Sequence, residues 1–174
     1  MFLDETGFLL QPVTRRTWAP RGETPVQYVS ARHDRLSAIG AISLAPVRRA
    51  IGVRWKFYDD NIRAVDVVAF IRHLHAQLRR PLVVVLDRFN VHRSAIRQLQ
   101  ERRTPWLDAE WLPAYAPDLN PVEALWSCTK HGHLANYNPD DLFDLGDAVV
   151  DSFCRQRRDR RIKESYFQTA KLQI

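Results

Sequence analysis

Cysteine is scarce in this chain, which has only Cys128 and Cys154 among its 174 residues. The two are far apart and form no Cys-x-x-Cys pair, so the sequence excludes a disulfide framework and the secreted proteins that depend on one. A zinc site built on Cys128, His131 and His133 is also disfavoured, because no second ligand pair has metal-site spacing and the three would not share a helical face. We therefore expect a soluble, cytoplasmic protein.

Long apolar runs are absent as well. No stretch approaches the ~18 consecutive apolar residues of a membrane span, and no charged segment precedes an apolar one at the start, as it would in a signal peptide. The sequence has no internal repeat, low-complexity segment or break in composition. With 174 residues and 45% hydrophobic content, we expect one core with a C-terminal extension and no membrane partner.

Acidic residues are outnumbered, with 20 Asp and Glu against 26 Lys and Arg, which gives a formal net charge of +6. Arginine dominates, and its planar guanidinium suits phosphate, so the balance favours a polyanionic partner. A merely soluble basic surface is the alternative. Positive charge is densest near the C-terminus, and we interpret that stretch as a phosphate-contacting arm rather than a solvated helix end. Its residues are Arg155, Arg157, Arg158, Arg160, Arg161 and Lys163.

The first part of the chain predicts a β-meander followed by a helix. Four β-prone stretches are separated by turn residues, at 1–10, 26–30, 36–44 and 51–58. From residue 64 onward apolar side chains recur at helical spacing, and Asp59, Asp60 and Asn61 are candidate caps for this helix.

The second part predicts strands alternating with helices. Residues 82–86 form a continuous apolar run after Pro81, which is typical of a strand buried on both faces. The expected elements after it are a helix over 95–103, a strand over 110–112, a helix starting at Asn120-Pro121 and another starting at Asn138-Pro139. The order predicts an α/β fold, a mixed sheet with helices packed over it.

Three acidic residues stand where such a fold collects polar site residues. Asp4 interrupts the first strand, Asp87 follows residues 82–86, and Glu123 is in the first turn of a helix. Three carboxylates on neighbouring elements suit two divalent cations, which prefer oxygen ligands and can promote attack on phosphorus. The alternatives are structural, because an Asp at a strand end commonly caps a turn and Asn120-x-x-Glu123 has capping-box spacing. We favour the metal site because all three contexts occur together.

Two further residues near these positions are candidates. Glu5 competes with Asp4 for the ligand position, because neighbours on a strand face opposite sides. His92 follows Asp87 closely enough to contact substrate phosphate or orient a water, although a histidine at a helix start more often has no catalytic part.

Four motifs resemble the DDE transposases of bacterial insertion sequences, in the mariner-like superfamily, whose fold is related to RNase H and retroviral integrase. They are FLDETGF at 2–8, WAPRG at 18–22, VLDRFNVHRS at 85–94 and LPAYAPDLNPVEALW at 112–126. The resemblance implies an RNase H-like mixed five-stranded sheet flanked by helices. It also implies a catalytic domain over 1–135, with residues 136–174 as a helical basic extension of the same domain.

By this resemblance, Asp4, Asp87 and Glu123 bind two Mg²⁺ or Mn²⁺ ions. The implied reaction is hydrolysis at transposon ends followed by transfer of the freed 3′-hydroxyl into target DNA, in a homodimer that handles two ends and is associated with the bacterial nucleoid. Arg88 replaces an asparagine common in the family, and Asn90 is expected to take over part of its role. Candidates for contact with the ligands or with DNA are Glu5, Arg88, Asn90, His92, Arg93 and Asn120.

The resemblance also implies a helix-turn-helix region before the catalytic domain, yet the sequence opens in the first catalytic strand. We expect a split-frame product, a truncated remnant or an excised domain, with end recognition supplied by a separate helix-turn-helix polypeptide. Two other functions stay open: an inactive remnant that only binds DNA, and an RNase H-like nuclease acting on RNA-DNA hybrids.

Overall fold

A computed structural model describes residues 1–29 and 34–173 of the chain. These residues form one five-stranded sheet flanked by helices. The strands are β1 (Phe2–Leu9), β2 (Arg35–Leu44), β3 (Ile51–Tyr58), β4 (Leu82–Leu86) and β5 (Leu107–Trp111). The helices are α1 (Ala64–Leu78), α2 (Asn90–Glu101), α3 (Pro121–Ser127), α4 (Leu142–Arg158) and α5 (Arg160–Thr169), with a 3₁₀ turn at Pro117–Leu119 and a π-helical turn at Cys128–His133.

The sheet is mixed, and its strand order is β3-β2-β1-β4-β5. β1, β2 and β3 pair antiparallel, whereas β4 is parallel to both β1 and β5. The predicted α/β class, with a mixed five-stranded sheet and flanking helices, is confirmed. Within the described residues, no helix is long and apolar enough to cross a membrane.

The alternation of side chains along β1 divides the core into two clusters. Phe8 faces a cluster that includes Trp126 of α3 and Phe153 of α4, whereas Leu3 faces a second cluster formed with α1 and α2. Successive strand residues point to opposite faces of a sheet, so Asp4 shares the face of Phe8 and Glu5 that of Leu3. β1 is the middle strand and therefore contributes to both helical layers.

A buried polar network attaches the C-terminal helices to the rest of the fold. Gln156 Nε2 donates to Thr129 Oγ1 at 2.7 Å, and Ser152 Oγ donates to the same oxygen at 3.0 Å. Tyr166 of α5 donates its hydroxyl hydrogen to Gln156 Oε1. Buried polar groups are tolerated where they are hydrogen-bonded to one another, so residues after 136 are an integral part of the core rather than an appendage.

The expected strand over 26–30 is wrong for the part that the structure describes. Residues 26–29 form no strand, and Ser30 lies outside the described residues. The Val26 and Tyr28 side chains are 74% and 89% exposed, so they do not pack against the sheet. The segment instead reaches the start of α4, where Asn138 Nδ2 donates to Tyr28 O at 3.1 Å.

That contact also explains why the Asn138-Pro139 start signal is wrong. The Asn138 side chain is engaged with residue 28, and α4 begins at Leu142 with Asp141 as its cap, whose Oδ1 accepts from Asp144 N at 2.8 Å. The caps expected for α1 are wrong too. Arg63 occupies the N-cap position, and its backbone N–H donates to Asp66 Oδ2 at 2.9 Å.

Two boundaries in the second part differ from expectation, and one helix was missed. α2 begins at Asn90 rather than Ala95 and ends at Glu101, because Asp87 Oδ1 accepts the Phe89 N–H at 3.0 Å and turns the chain immediately after β4. β5 begins at Leu107, before the expected residue 110. α5 was not expected as a separate helix; Asp159 starts it by accepting from the N–H groups of Arg161 and Ile162.

Candidate active site

Asp4 lies on β1, and Asp87 directly follows the neighbouring strand β4. Phe2 of β1 is paired with Val85 of β4 in parallel register; Asp4 is two residues further along β1, and Asp87 is the residue that follows the end of β4. Neighbouring strands are about 4.8 Å apart. The sheet backbone itself therefore brings these two acidic positions together.

Asp4 is buried against α3. Its exposed fraction is 8%, and its Oδ2 accepts a hydrogen bond from Trp126 Nε1 at 2.9 Å. The indole reaches this position because Gly40, the partner of Asp4 on β2, has no side chain: a Cβ there would lie 2.4 Å from Trp126 Cη2. Burial, and next the charge of Glu123, raise the pKa of Asp4 to about 8.

His92 of α2 joins Asp87 to Glu5 on the other face of β1. Its exposed fraction is 1%, its Nδ1 lies 2.5 Å from Asp87 Oδ1, and its Nε2 lies 2.6 Å from Glu5 Oε2. Burial lowers the pKa of His92, but its hydrogen bonds to both carboxylates outweigh burial and raise the pKa to about 10. His92 is thus an imidazolium that donates from both nitrogens, and its hydrogen bond lowers the pKa of Asp87.

Glu123 is exposed in the first turn of α3, and its carboxylate is free of the capping task that the sequence suggested. Asn120 caps the helix alone, accepting from Val122 N at 3.2 Å, while the Asn120 N–H donates to Pro117 O at 2.8 Å. Although the residue is exposed, partial desolvation of its carboxyl raises the pKa of Glu123; the charge of Lys130 lowers it, and the charge of Asp87 raises it.

Lys130 is a site residue that the sequence did not reveal. Its Nζ donates to Thr6 Oγ1 at 2.6 Å and lies 5.4 Å from the ring centre of Phe8. Burial lowers the pKa of Lys130, whereas the charges of Glu123 and Asp4 raise it. This ammonium balances part of the negative charge. Lys130 lies in the π-helical turn, whose position no simple sequence pattern predicts.

The three predicted ligands influence one another's pKa values, but their side chains are not gathered around a single point. Among the described residues, no three His, Cys, Asp or Glu side chains are gathered closely enough to hold an ion together. Glu123 nevertheless raises the pKa of Asp4, and Asp87 raises that of Glu123. Hydrogen bonds use Asp4 Oδ2 and Asp87 Oδ1, and the other oxygen of each carboxyl can face a cation. A set of hard oxygens with unbalanced negative charge fits Mg²⁺ or Mn²⁺.

The remaining candidates for contact with the metal ligands or with DNA fall into two groups. Arg88, Asn90 and Arg93 are exposed around the start of α2, where a DNA strand could reach them. Asn120 is buried with an exposed fraction of 4%, and its side chain caps α3. It therefore supports the helix that carries Glu123 instead of presenting itself to DNA.

The basic stretch near the C-terminus is helical, as expected for the extension. Its first arginines end α4 and the others begin α5, with Asp159 between them. Arg160 Nε pairs with Glu164 Oε1 at 2.7 Å, and Lys163 Nζ donates to Ile51 O at 3.3 Å. Arg155, Arg158 and Arg161 are exposed. The stretch thus forms two helix ends, Arg157 and Arg160 are exposed as well, and its contact with phosphate stays a prediction.

Comparison with known proteins agrees with this arrangement. The model of a family described as DDE superfamily endonuclease matches residues 1–145. The chain belongs to this family. None of the curated proteins that were compared matches the chain.

Solved transposase structures share the fold of this DDE endonuclease. The paired-end complex of Mos1 transposase with the left transposon end superposes with a TM-score of 0.69 at 15% identity, covering 97% of this chain and 51% of the other. The pre-cleavage Mos1 transpososome gives 0.67 at 16% identity, covering 98% and 51%, and the Mos1 paired-end complex with Mn gives 0.62 at 16% identity, with the same coverage. The chain thus has the RNase H-like fold of a DDE transposase catalytic domain and spans about half the length of these proteins.

Proposed function

We propose that this domain cleaves DNA at transposon ends and transfers the freed 3′-hydroxyl into target DNA, using Asp4, Asp87 and Glu123 to hold two Mg²⁺ or Mn²⁺ ions. Water attacks the phosphorus at the transposon end, and the 3′-oxygen leaves as a hydroxyl. That hydroxyl then attacks a phosphodiester of the target, whose own 3′-oxygen leaves. When bound, the ions activate the attacking oxygen and stabilise the departing one.

The observation that supports the proposal is the electrostatic coupling of three carboxylates from three elements, in which Glu123 raises the pKa of Asp4 and Asp87 raises that of Glu123. Asp4 lies on β1, Asp87 directly follows the neighbouring strand β4, and Glu123 acts on Asp4 from α3. Lys130 acts on both Glu123 and Asp4, and His92 acts on Asp4 and Asp87, so two cations face these three carboxylates and Glu5. A divalent cation would relieve this repulsion, because an opposite charge within a few ångströms favours the ionised carboxyl.

The proposed partner is DNA, bound as transposon ends and as target duplex. Two ends must be handled together, which favours a homodimer on DNA, and a Mos1 transposase structure of the same fold is a paired-end complex with the left transposon end. We also propose that a helix-turn-helix segment or polypeptide supplies end recognition, and that the protein works at the bacterial nucleoid in the cytoplasm. Residues 1–135 would carry the chemistry and 136–174 the basic extension.

Metal binding should raise the melting temperature of the parent chain but not that of an Asp87→Asn variant. A ligand that binds the folded state alone stabilises it by about 2.7 kcal/mol at a hundred times its Kd. Thermal unfolding measured during Mn²⁺ and Mg²⁺ titrations checks this. Asp108→Asn, on exposed β5, is the matched control and should behave like the parent. An equal rise in parent and Asp87→Asn would remove Asp87 as a ligand, and no rise in any chain would favour a DNA-binding remnant.

DNA affinity should fall steeply with salt if the basic stretch contacts phosphates. Six contacts correspond to a loss of about three orders of magnitude between 50 and 200 mM salt. Changing Arg158 and Arg161 to Gln should lower the slope of log K against log salt by about 2. Fluorescence anisotropy with a labelled duplex measures the slope. Arg72→Gln with Arg97→Gln is the control, and an equal slope change there would assign the effect to net charge alone.

The substrate separates strand transfer from the action of an RNase H-like nuclease. Joining of a 3′-hydroxyl duplex end into a second duplex supports the proposal, whereas cleavage of RNA-DNA hybrids without joining supports the nuclease. Both reactions can be followed with the same labelled strands in Mn²⁺.

A further inference from the structure

A cavity of about 700 Å³ opens at the edge of the sheet opposite the acidic site. It lies between the β2–β3 turn and the start of β4, with Val83 among its lining residues. Four residues separate Val83 from Asp87, which corresponds to about 13 Å along a strand. The cavity is therefore separate from the candidate active site.

The floor of the cavity is apolar, and the charged side chains that line the cavity are all positive. Leu44, Ile51, Leu78 and Leu82 line it. All lining residues belong to the described part of the chain, and none of them carries a carboxylate. Concave sites of this size usually take a largely apolar group that is oriented by a few polar ones, so a duplex backbone is a poor fit.

Three arginines give the cavity its charge. Arg48, Arg54 and Arg80 line it, and within the described residues none of them forms an ion pair. Arg54 is half-buried, and its Nη1 donates to Ser43 Oγ at 3.1 Å. Burial, and next the charge of Arg157, lower the pKa of Arg54. A partly desolvated guanidinium without a counter-ion favours a ligand that brings carboxylates.

The first half of α4 exposes a surface that combines an apolar side chain with carboxylates. Phe143 is 77% exposed, and Asp147 and Asp151 follow it at intervals of four residues, so all three share one helical face. Asp140 precedes the helix and is also exposed. None of these aspartates forms an ion pair with another described residue. We call Phe143, Asp147 and Asp151 the acidic face.

Phe143, at the start of α4, cannot enter the cavity of its own chain. Gly146 of α4 lies against Leu36 at the start of β2, whereas Leu44 at the other end of β2 lines the cavity. Eight residues of strand separate these ends by about 26 Å. Contact between the two surfaces therefore requires two molecules.

We propose that the arginine-lined cavity receives the acidic face of a second copy of this chain, with Phe143 inserted among the leucines and Asp147 and Asp151 paired with the arginines. Two copies packed antiparallel would make this contact twice about a twofold axis, which closes a dimer. The contact is small, so association on the order of micromolar Kd is expected. The proposal concerns self-association without DNA or metal and does not rest on catalysis.

Charge reversal in trans tests the proposal by sedimentation equilibrium between about 1 and 500 μM protein, without DNA. The pairs Arg48→Glu with Arg80→Glu and Asp147→Arg with Asp151→Arg should each weaken self-association by at least about tenfold, because like charges then oppose each other. An equimolar mixture of the two variants should associate within about threefold of the parent. Phe143→Ala, an exposed position, should also weaken association without lowering the melting temperature.

The matched control carries the same charge change on another surface, Arg72→Glu with Arg97→Glu on exposed positions of α1 and α2. It should associate like the parent. A monomeric parent up to 500 μM, equal weakening in the control, or a mixture that associates no better than either variant alone would each overturn the proposal. So would loss of DNA affinity in the Arg48 and Arg80 variant with self-association intact, which would make the cavity rim a DNA contact.

Discussion

The Glu123→Gln variant is expected to join DNA ends roughly a thousandfold more slowly than the parent, which corresponds to about 4 kcal/mol of lost transition-state stabilisation. The amide keeps the shape of the side chain but supplies no negative charge to a cation. The measurement is the joining of a labelled duplex with a free 3′-hydroxyl into supercoiled plasmid, in Mn²⁺ and at saturating DNA.

The fold should survive this change. Asn120 caps α3 without help from Glu123, and removing the charge relieves the repulsion that raises the pKa of Asp4. We expect an unchanged or higher melting temperature in chelator. Glu101→Gln, the same chemical change at the exposed end of α2, should leave joining unaffected. Joining by Glu123→Gln at the parental rate would remove Glu123 from the ligand set.

Replacing His92 by alanine should lower the free energy of unfolding by about 3 kcal/mol. The buried imidazolium holds Glu5 at 2.6 Å and Asp87 at 2.5 Å, and removing one member of such a group leaves uncompensated charge. The expected loss lies at the low end of the range for breaking a buried ion pair because Asp87 is half-exposed. Urea unfolding in chelator measures the loss, and His73→Ala, on an exposed stretch of α1, should change stability by no more than about 0.5 kcal/mol.

A second substitution distinguishes lost charge balance from lost packing. In the His92→Ala background, Glu5→Gln should restore more than about 1 kcal/mol, because it removes a carboxylate that no longer has a partner. In the parent, the same change should destabilise the protein. Additive losses in the double variant would mean that His92 acts through packing alone.

The elements that rest on local periodicity or on rigid start signals could be predicted from the sequence. The strand over 36–44, the helix from residue 64 and the start of α3 at Pro121 follow from side-chain alternation, helical spacing and the Asn120-Pro121 pair. The wrong predictions concern segments whose conformation is determined by contacts between residues far apart in the sequence. Val26 and Tyr28 have β-prone character but no strand to pair with, and Asn138 is drawn away from capping by the backbone of residue 28.

The positions of the acidic residues could also be read from the sequence, but their surroundings could not. That Asp4 and Glu5 face opposite sides follows from strand geometry alone. The hydrogen bond from Trp126 to Asp4 spans 122 residues and depends on the missing side chain at Gly40. The contact of His92 with Glu5 spans 87 residues. Such contacts depend on how helices are seated on the sheet, which no local pattern specifies.

The division of the core by β1 has a consequence for how the molecule would respond to its ions. One helical layer is tied to Asp4 through Trp126, and the other is tied to Asp87 through His92. The two layers share the sheet between them but bury separate apolar clusters. A cation bound by both aspartates would link the two helical layers across the sheet. Local unfolding of either layer would then require release of the cation. Ion occupancy would then report on the integrity of both halves at once.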